Sequence, residues 1–366
     1  MKKLRIGVAG LGRAFSLMAS AFRDPRVQLV AAADARPEAL EQFQKEYRGR
    51  AFPSVEAMCG DPGIDLVYVA TPHELHAPHA CAALSAGKSV LVEKPMALTL
   101  EDARRMIHAA RHSGAQLVVG HSHSFDAPIL HAKKLIDSQS FGRLRMITGL
   151  YFTDFVYRPR RAGELAASLQ NQAAHHVDIA RLLAGGRVRS VRAFTGDWDR
   201  ARPANGAYSC LLGFDNGACA SLTYSGYAHF DSDEFTGWIG ELGQRKPPAG
   251  FPKHPADEEK NARNYGGPQF KELERVAHEH FGMLIVSCEK ADLRPLPDGV
   301  MIYGGDERRL DALPPPRIPR VEVIDEIYAA VAEGKAPLHS GESALATLQV
   351  CLAMLDSARQ GKEILL

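Results

Sequence analysis

Short apolar runs alternate with apolar residues at helical spacing along the first third of the chain. Leu4–Ala9 is the first run, and it ends in Gly10-Leu11-Gly12. Phe15, Met18, Ala19 and Phe22 follow on one helical face. Val27–Ala33 reads as a second buried strand ending in Asp34, and residues 64–70 as a third, rich in β-branched side chains. Residues 75–86 read as a helix stopped by Gly87, and Ser89–Val92 as the next strand. Thr99, with Asp102 three residues on, is an N-capping signature for a helix that Gly114 closes. Residues 116–120 make another strand. This alternation predicts an α/β fold opening with a Rossmann-type, doubly wound parallel sheet.

After Phe141-Gly142 the pattern changes. Residues 144–153, 188–194, 208–214 and 218–225 are β-type runs, and Asp215-Asn216-Gly217 between the last two is a hairpin signal. One helical stretch, about residues 174–183, interrupts them. This half reads as an α+β domain with a largely antiparallel, open sheet. Residues 246–269 are rich in proline, glycine and charge, which predicts a long exposed excursion. Leu313-Pro314-Pro315-Pro316 is a stiff linker, and Val321–Ala332 and residues 344–360 are closing helices. The predicted domains are a dinucleotide-binding domain over 1–124 and a substrate-binding and oligomerisation domain over 125–340. Residues 341–366 are expected to pack back on the first.

Composition narrows the partners. Lys and Arg number 44 against 43 Asp and Glu, a formal net charge of +1. No bulk field then draws nucleic acid or an anionic membrane, and an anionic ligand must be held by a local cluster. Cys59, Cys81, Cys210, Cys219, Cys288 and Cys351 form no Cys-x-x-Cys pair, a pattern that fits reduced thiols in a cytoplasm. The apolar run after Met1-Lys2-Lys3 is short and broken by glycines and Arg13, unlike a signal peptide. No stretch approaches about 18 continuous apolar residues, so no membrane-spanning helix is expected.

The chemistry gathers after the predicted strands. Gly10-Leu11-Gly12, leading into Arg13 and Ala14, lets the backbone turn tightly against a pyrophosphate, although Phe15 stands where a third glycine is usual. An ordinary strand-to-helix turn has the same look. Asp34, 22 residues past Gly12, suits the hydroxyls of a ribose and repels a 2′-phosphate. NAD is therefore favoured, while Arg36 beside it leaves NADP open. Thr71-Pro72-His73, His76, Glu93-Lys94-Pro95 and His121 with His123 also follow strands. Lys94 precedes a proline, so its backbone is restricted and a cis bond is open to it. Its ammonium can contact a ribose or a reacting oxygen, whereas most lysines are merely solvated. His175-His176-Val177-Asp178 opens a helix, and a histidine there suits either proton transfer or capping. His121, His123, His73 and His76 have no cysteine or carboxylate at a recognisable ligand spacing, so no metal site is expected. Tyr157-Arg158-Pro159-Arg160-Arg161 is the dense basic cluster, either a solvated loop or a fork-shaped clamp for substrate carboxylates.

The glycine turn, Ala70-Thr71-Pro72-His73 with His76, residues 86–95 ending Glu93-Lys94-Pro95, and His175-x-x-Asp178 resemble the Gfo/Idh/MocA oxidoreductase family across nearly the whole chain. The resemblance implies hydride transfer with NAD(P), and a second domain whose open sheet forms a homodimer or homotetramer. It places the polar catalytic group on Lys94, Asn171 and His175, with Asn171 standing where well-known members carry an aspartate. His175 is then the expected proton acceptor and Lys94 polarises the same oxygen. Residues 119–126, 157–161, 172–175 and 226–233 further resemble the phthalate 4,5-cis-dihydrodiol dehydrogenases within that family. That implies an aromatic cis-dihydrodiol dicarboxylate as substrate, with His121, His123, Arg158, Arg160, Arg161 and His176 around it. A sugar or inositol dehydrogenase and a catalytically silent NAD(H)-sensing regulator stand as alternatives.

Overall fold

The structure, a computed structural model, describes residues 3–158, 169–201, 205–227, 229–248, 262–305 and 307–366. They divide into two compact units. The first takes described residues up to 121, 262–273 and 318–346; the second takes the rest.

The first unit is built on six parallel strands: β1 (Leu4–Ala9), β2 (Val27–Ala33), β3 (Arg50–Phe52), β4 (Leu66–Val69), β5 (Ser89–Val92) and β6 (Leu117–Val119). Their order across the sheet is β3-β2-β1-β4-β5-β6. The direction of winding therefore reverses between β1 and β4. Ile6, Val8, Leu66, Val67, Val69, Val90, Leu91 and Val92 are wholly buried, as expected for strands covered on both faces. The helices are α1 (Arg13–Met18), α2 (Pro37–Tyr47), α3 (Val55–Cys59), α4 (His76–Ser85) and α5 (Leu100–Ser113). Their ends follow local chemistry. The Thr99 hydroxyl accepts the Asp102 N–H at 3.1 Å to open α5, and Gly114, at φ +69°, closes it.

The excursion expected to be exposed is not so throughout. Tyr265 is 1% exposed and its ring meets Phe15 of α1 edge-on at 4.8 Å. A buried aromatic anchor within a polar, proline-rich stretch carries no periodic signal, so composition alone missed it. Helix α8 (Val321–Ala332) also belongs to this unit, with Val323, Ile324 and Ile327 wholly buried.

The second unit carries a nine-stranded sheet. Its strands are β7 (Leu144–Phe152), β8 (Val188–Gly196), β9 (Ala207–Phe214), β10 (Cys219–Ser225), β11 (Met283–Cys288), β12 (Asp292–Leu296), β13 (Gly299–Gly304), β14 (Glu307–Ala312) and β15 (Ile364–Leu365). Their order is β14-β13-β12-β11-β7-β10-β9-β8-β15. Every pairing is antiparallel except β7 with β10. Helices α6 (Ala127–Asp137) and α7 (Ala174–Ala184) give their apolar sides to its core. The final helix α9 (Gly341–Gln360) was expected to close back on the first unit. Beyond its first turn it instead sends Val350, Cys351, Ala353 and Met354 into this second core. Apolar spacing fixed the helix and its buried face but not which core receives it. The opposite sheet face leaves Met146, Phe194 and Leu211 exposed. Among the described residues no helix is long and apolar enough to cross a membrane.

Candidate active site

The carboxyl edge of the first sheet collects the expected nucleotide residues. In spatial order these are Asp34 after β2, Gly10–Gly12 after β1, Thr71-Pro72-His73 after β4, Glu93-Lys94 after β5 and His121 after β6. Ligands of doubly wound sheets bind at this edge, where the winding reverses. Gly10 has φ +90°, and a Cβ there would stand 2.8 Å from the Ala70 carbonyl oxygen. Only glycine fits that close approach. Gly12 then starts α1, whose first-turn N–H groups form the positive end of the helix. A glycine cradle beside a carboxylate fits a dinucleotide.

Asp34 is already engaged. Its Oδ2 accepts the Leu11 N–H at 2.6 Å, and its Oδ1 accepts the Arg36 N–H at 2.8 Å and Nε–H at 3.2 Å. A carboxylate offers about four acceptor positions, so roughly one remains for a ribose hydroxyl. The pair of ribose hydroxyls expected from sequence would have to displace one of these bonds. Arg36 is held as well, through Nη1 to the Tyr265 carbonyl at 3.2 Å and Nη2 to the Leu11 carbonyl at 2.8 Å.

Two of the expected contacts turn inward instead. Glu93 is buried, and its Oε1 accepts the Tyr68 hydroxyl at 2.6 Å. Burial pushes its carboxyl up, although Tyr68 and Arg320 oppose the shift. His76 is wholly buried and joins the loops after β4 and β5, its Nδ1 2.8 Å from the Pro95 carbonyl and its Nε2 2.9 Å from that of Thr71. Burial, and then His73, lower its pKa to about 4. It shapes the loop that carries Lys94. Lys94 is partly exposed and its bond to Pro95 is cis. Thr71, Pro72, His73 and Ala14 are partly exposed, Arg13 is exposed, and His121 is buried.

In the second unit α7 is preceded by a π-helical turn, Leu169–Ala173. Such turns are common at functional sites. Asn171 lies in it, partly exposed, its Oδ1 3.4 Å from the Gln172 side-chain nitrogen. His175 sits in the first turn of α7 with its ring 4.9 Å from Phe281 and 4.7 Å from His123. Its Nδ1 accepts the His123 backbone N–H at 3.3 Å. A neutral ring with that bond carries its proton on Nε2. In that tautomer Nε2 is a donor.

His123 is held by two carboxylates. It is 2% exposed, with Nδ1 2.7 Å from Asp126 and Nε2 3.4 Å from Glu241. Burial alone would keep the ring neutral. The two carboxylates outweigh it and raise the pKa to about 10. Glu241 in turn accepts the Tyr151 hydroxyl at 3.0 Å. Burial would raise its carboxyl, but His123 and Arg158 hold it well below the usual range. His176 packs against Phe281 and meets the Tyr208 hydroxyl at 2.8 Å. Burial, then His123, lower its pKa to about 3, so it is a neutral core histidine. Asp178 accepts the Ser124 hydroxyl and, at 2.9 Å, that of Thr347, so it secures α7.

Arg158 is half-exposed, with Nε 3.0 Å from Asp154 and Nη1 3.7 Å from Glu241. Much of its charge is matched before any ligand arrives. Arg160 and Arg161 lie outside the described residues. Phe281, Tyr151, Asp126 and Glu241 are the neighbours that sequence reasoning missed. Asp126 was findable, three residues after His123. Glu241 is 118 residues away and carries no local signal.

A dinucleotide crevice on a parallel sheet, with a histidine-bearing α+β unit after it, defines an NAD(P)-dependent oxidoreductase. The model for the oxidoreductase family with an NAD-binding Rossmann fold matches residues 4–121, and that for the GFO/IDH/MocA C-terminal domain matches 129–244. The chain belongs to the Gfo/Idh/MocA family. It is 47% identical to the 1-carboxy-3-chloro-3,4-dihydroxycyclohexa-1,5-diene dehydrogenase of Comamonas testosteroni, over 97% of this chain and 95% of that one. An inositol 2-dehydrogenase of Rhizobium meliloti is 30% identical over 52% of this chain and 58% of its own. Among solved structures, a putative dehydrogenase from Bordetella bronchiseptica superposes with TM-score 0.93 at 37% identity, covering 100% of both chains. The WlbA dehydrogenase of Bordetella pertussis, solved with NADH and UDP-GlcNAcA, gives TM-score 0.73 at 26% identity, over 100% of this chain and 99% of that one.

Proposed function

We propose that the protein oxidises a carboxylated cyclic cis-dihydrodiol, such as the 4,5-cis-dihydrodiol of phthalate, to the corresponding catechol. The observation that carries this reading is near-full-length similarity to a dehydrogenase named for a carboxylated dihydroxycyclohexadiene. Bound NAD⁺ supplies the hydride acceptor. One carbinol carbon loses hydride and its hydroxyl loses a proton; the resulting hydroxyketone enolises to the catechol. Aromatisation makes the step strongly downhill, so less is asked of the protein at the transition state.

Roles follow from chemistry. Lys94 contacts the reacting oxygen and takes its proton. His175 donates its Nε2–H to an oxygen of the diol, and Asn171 positions the neighbouring hydroxyl. Arg160 and Arg161, with Arg158, recognise the carboxylate. The test follows reduced nicotinamide with the phthalate dihydrodiol, a monocarboxylated dihydrodiol, inositol and glucose. Turnover of the carboxylated diols is expected; turnover of the polyols alone would overturn the substrate class. Lys94→Ala and His175→Ala are each expected to slow turnover about 10²- to 10⁴-fold, and the double variant by less than the product of the two.

A further inference from the structure

We propose that the segment around Tyr265 is a strap that makes this protein select NAD(H) over NADP(H). It lies against the adenosine end of the crevice in the first unit, far in sequence from the glycine turn. Four contacts fix it there. The Tyr265 N–H donates to the Ser16 hydroxyl at 3.2 Å, and that hydroxyl donates to the Gly12 carbonyl at 3.1 Å. The Tyr265 ring packs edge-on against Phe15. Its hydroxyl donates to Glu46 of α2 at 2.8 Å. Gly266, at φ +79°, approaches Ala39 so closely that a Cβ would stand 2.7 Å from the Ala39 Cα.

The strap's consequence runs through Arg36. The Tyr265 carbonyl takes one N–H of that guanidinium, Leu11 a second and Asp34 a third. Three of about five N–H groups are thereby committed to fixed acceptors. The planar fork cannot swing to grip a 2′-phosphate bidentately, which is how arginine recognises such groups. Asp34 beside it repels the same phosphate. Tyr265 is a positioning residue: it touches no reacting atom and acts by holding Arg36.

The inference rests on the dinucleotide reading of the crevice, not on the substrate. The test is equilibrium titration with NADH and with NADPH, read by nicotinamide fluorescence, on the wild type, Tyr265→Ala, Tyr265→Phe, Arg36→Ala and Tyr265→Ala/Arg36→Ala. The wild type is expected to prefer NADH by at least about tenfold, the scale of one charge-assisted contact. Tyr265→Ala is expected to narrow that preference about fivefold, and adding Arg36→Ala to cancel the gain. Should the alanine variant fail to fold, Tyr265→Phe, which loses only the Glu46 bond, is expected to narrow it about twofold. An unmoved ratio in a folded Tyr265 variant, a gain that survives without Arg36, or a selective loss of NADPH in Arg36→Ala alone would overturn the strap. A wild type that binds neither nucleotide would contradict the crevice itself.

Discussion

The bond from the His123 backbone to His175 Nδ1 decides what the proposed catalytic role of this histidine can be. It leaves the other ring nitrogen as a donor, so an amide can stand in for part of the imidazole's work. His175→Gln is expected to retain at least about tenfold more kcat than His175→Ala. Equal loss in both would restore the ring as the base. His123 itself adds to stability on the alkaline side. The folded ring keeps its proton to about pH 10, whereas the unfolded ring releases it near pH 6.5. Its stabilisation is whole below about pH 6.5 and disappears as pH rises toward 10. His76 and His176 act in the opposite direction. They stay neutral in the fold down to about pH 4 and 3, so stability falls as pH drops below about 6.5. Urea midpoints across pH should peak near neutrality, and His123→Phe should flatten the alkaline side. An alkaline limb unchanged in that variant would contradict the charged assignment. At this scale the sequence revealed which histidines lie near strand ends and in α7. It did not separate His175 from His123 and His176, because burial and distant carboxylates set their charge.

At the scale of elements, the glycine turn shows how local chemistry places a site. Leu4–Ala9 must end in a residue that tolerates φ +90° within van der Waals reach of Ala70. Gly10→Val should therefore weaken NADH binding at least about tenfold while leaving the second unit intact, measured by titration and by hydrogen exchange. Unchanged affinity would remove the turn from the nucleotide site. All six strands of the first sheet except β3 were legible, since buried parallel strands read as apolar runs with glycine or polar stops. β3, only three residues long with Arg50 exposed, gives no such run. Strands β11–β14 were hidden for other reasons. Pro295 interrupts β12, and β14 is largely charged and exposed. Their pairing is set by neighbours rather than by their own pattern. The strap at Tyr265 was illegible for the same reason: its partners lie in α1 and α2.

The whole molecule is a member of a family in which one fold serves many substrates, so the fold yields hydride transfer and the site must yield the diol. The residues expected to hold the nucleotide belong to the first unit, and His175 and Asn171 to the second. The resemblance read from Glu93-Lys94-Pro95 led to the right family, although Glu93 itself turns into the core. What distinguishes a carboxylated diol from a sugar is local charge, and Arg158 shares its charge with Asp154 and Glu241. Arg160→Ala with Arg161→Ala is accordingly expected to raise KM for a carboxylated diol about tenfold or more, with kcat less affected. A KM that does not move would place the carboxylate elsewhere.

The most direct measurement is a stopped assay of the purified protein with NAD⁺ and a carboxylated cis-dihydrodiol, counting reduced nicotinamide and catechol together. One catechol for each NADH formed is expected. NADH without catechol, or oxidation of inositol or glucose with the diol untouched, would contradict the account.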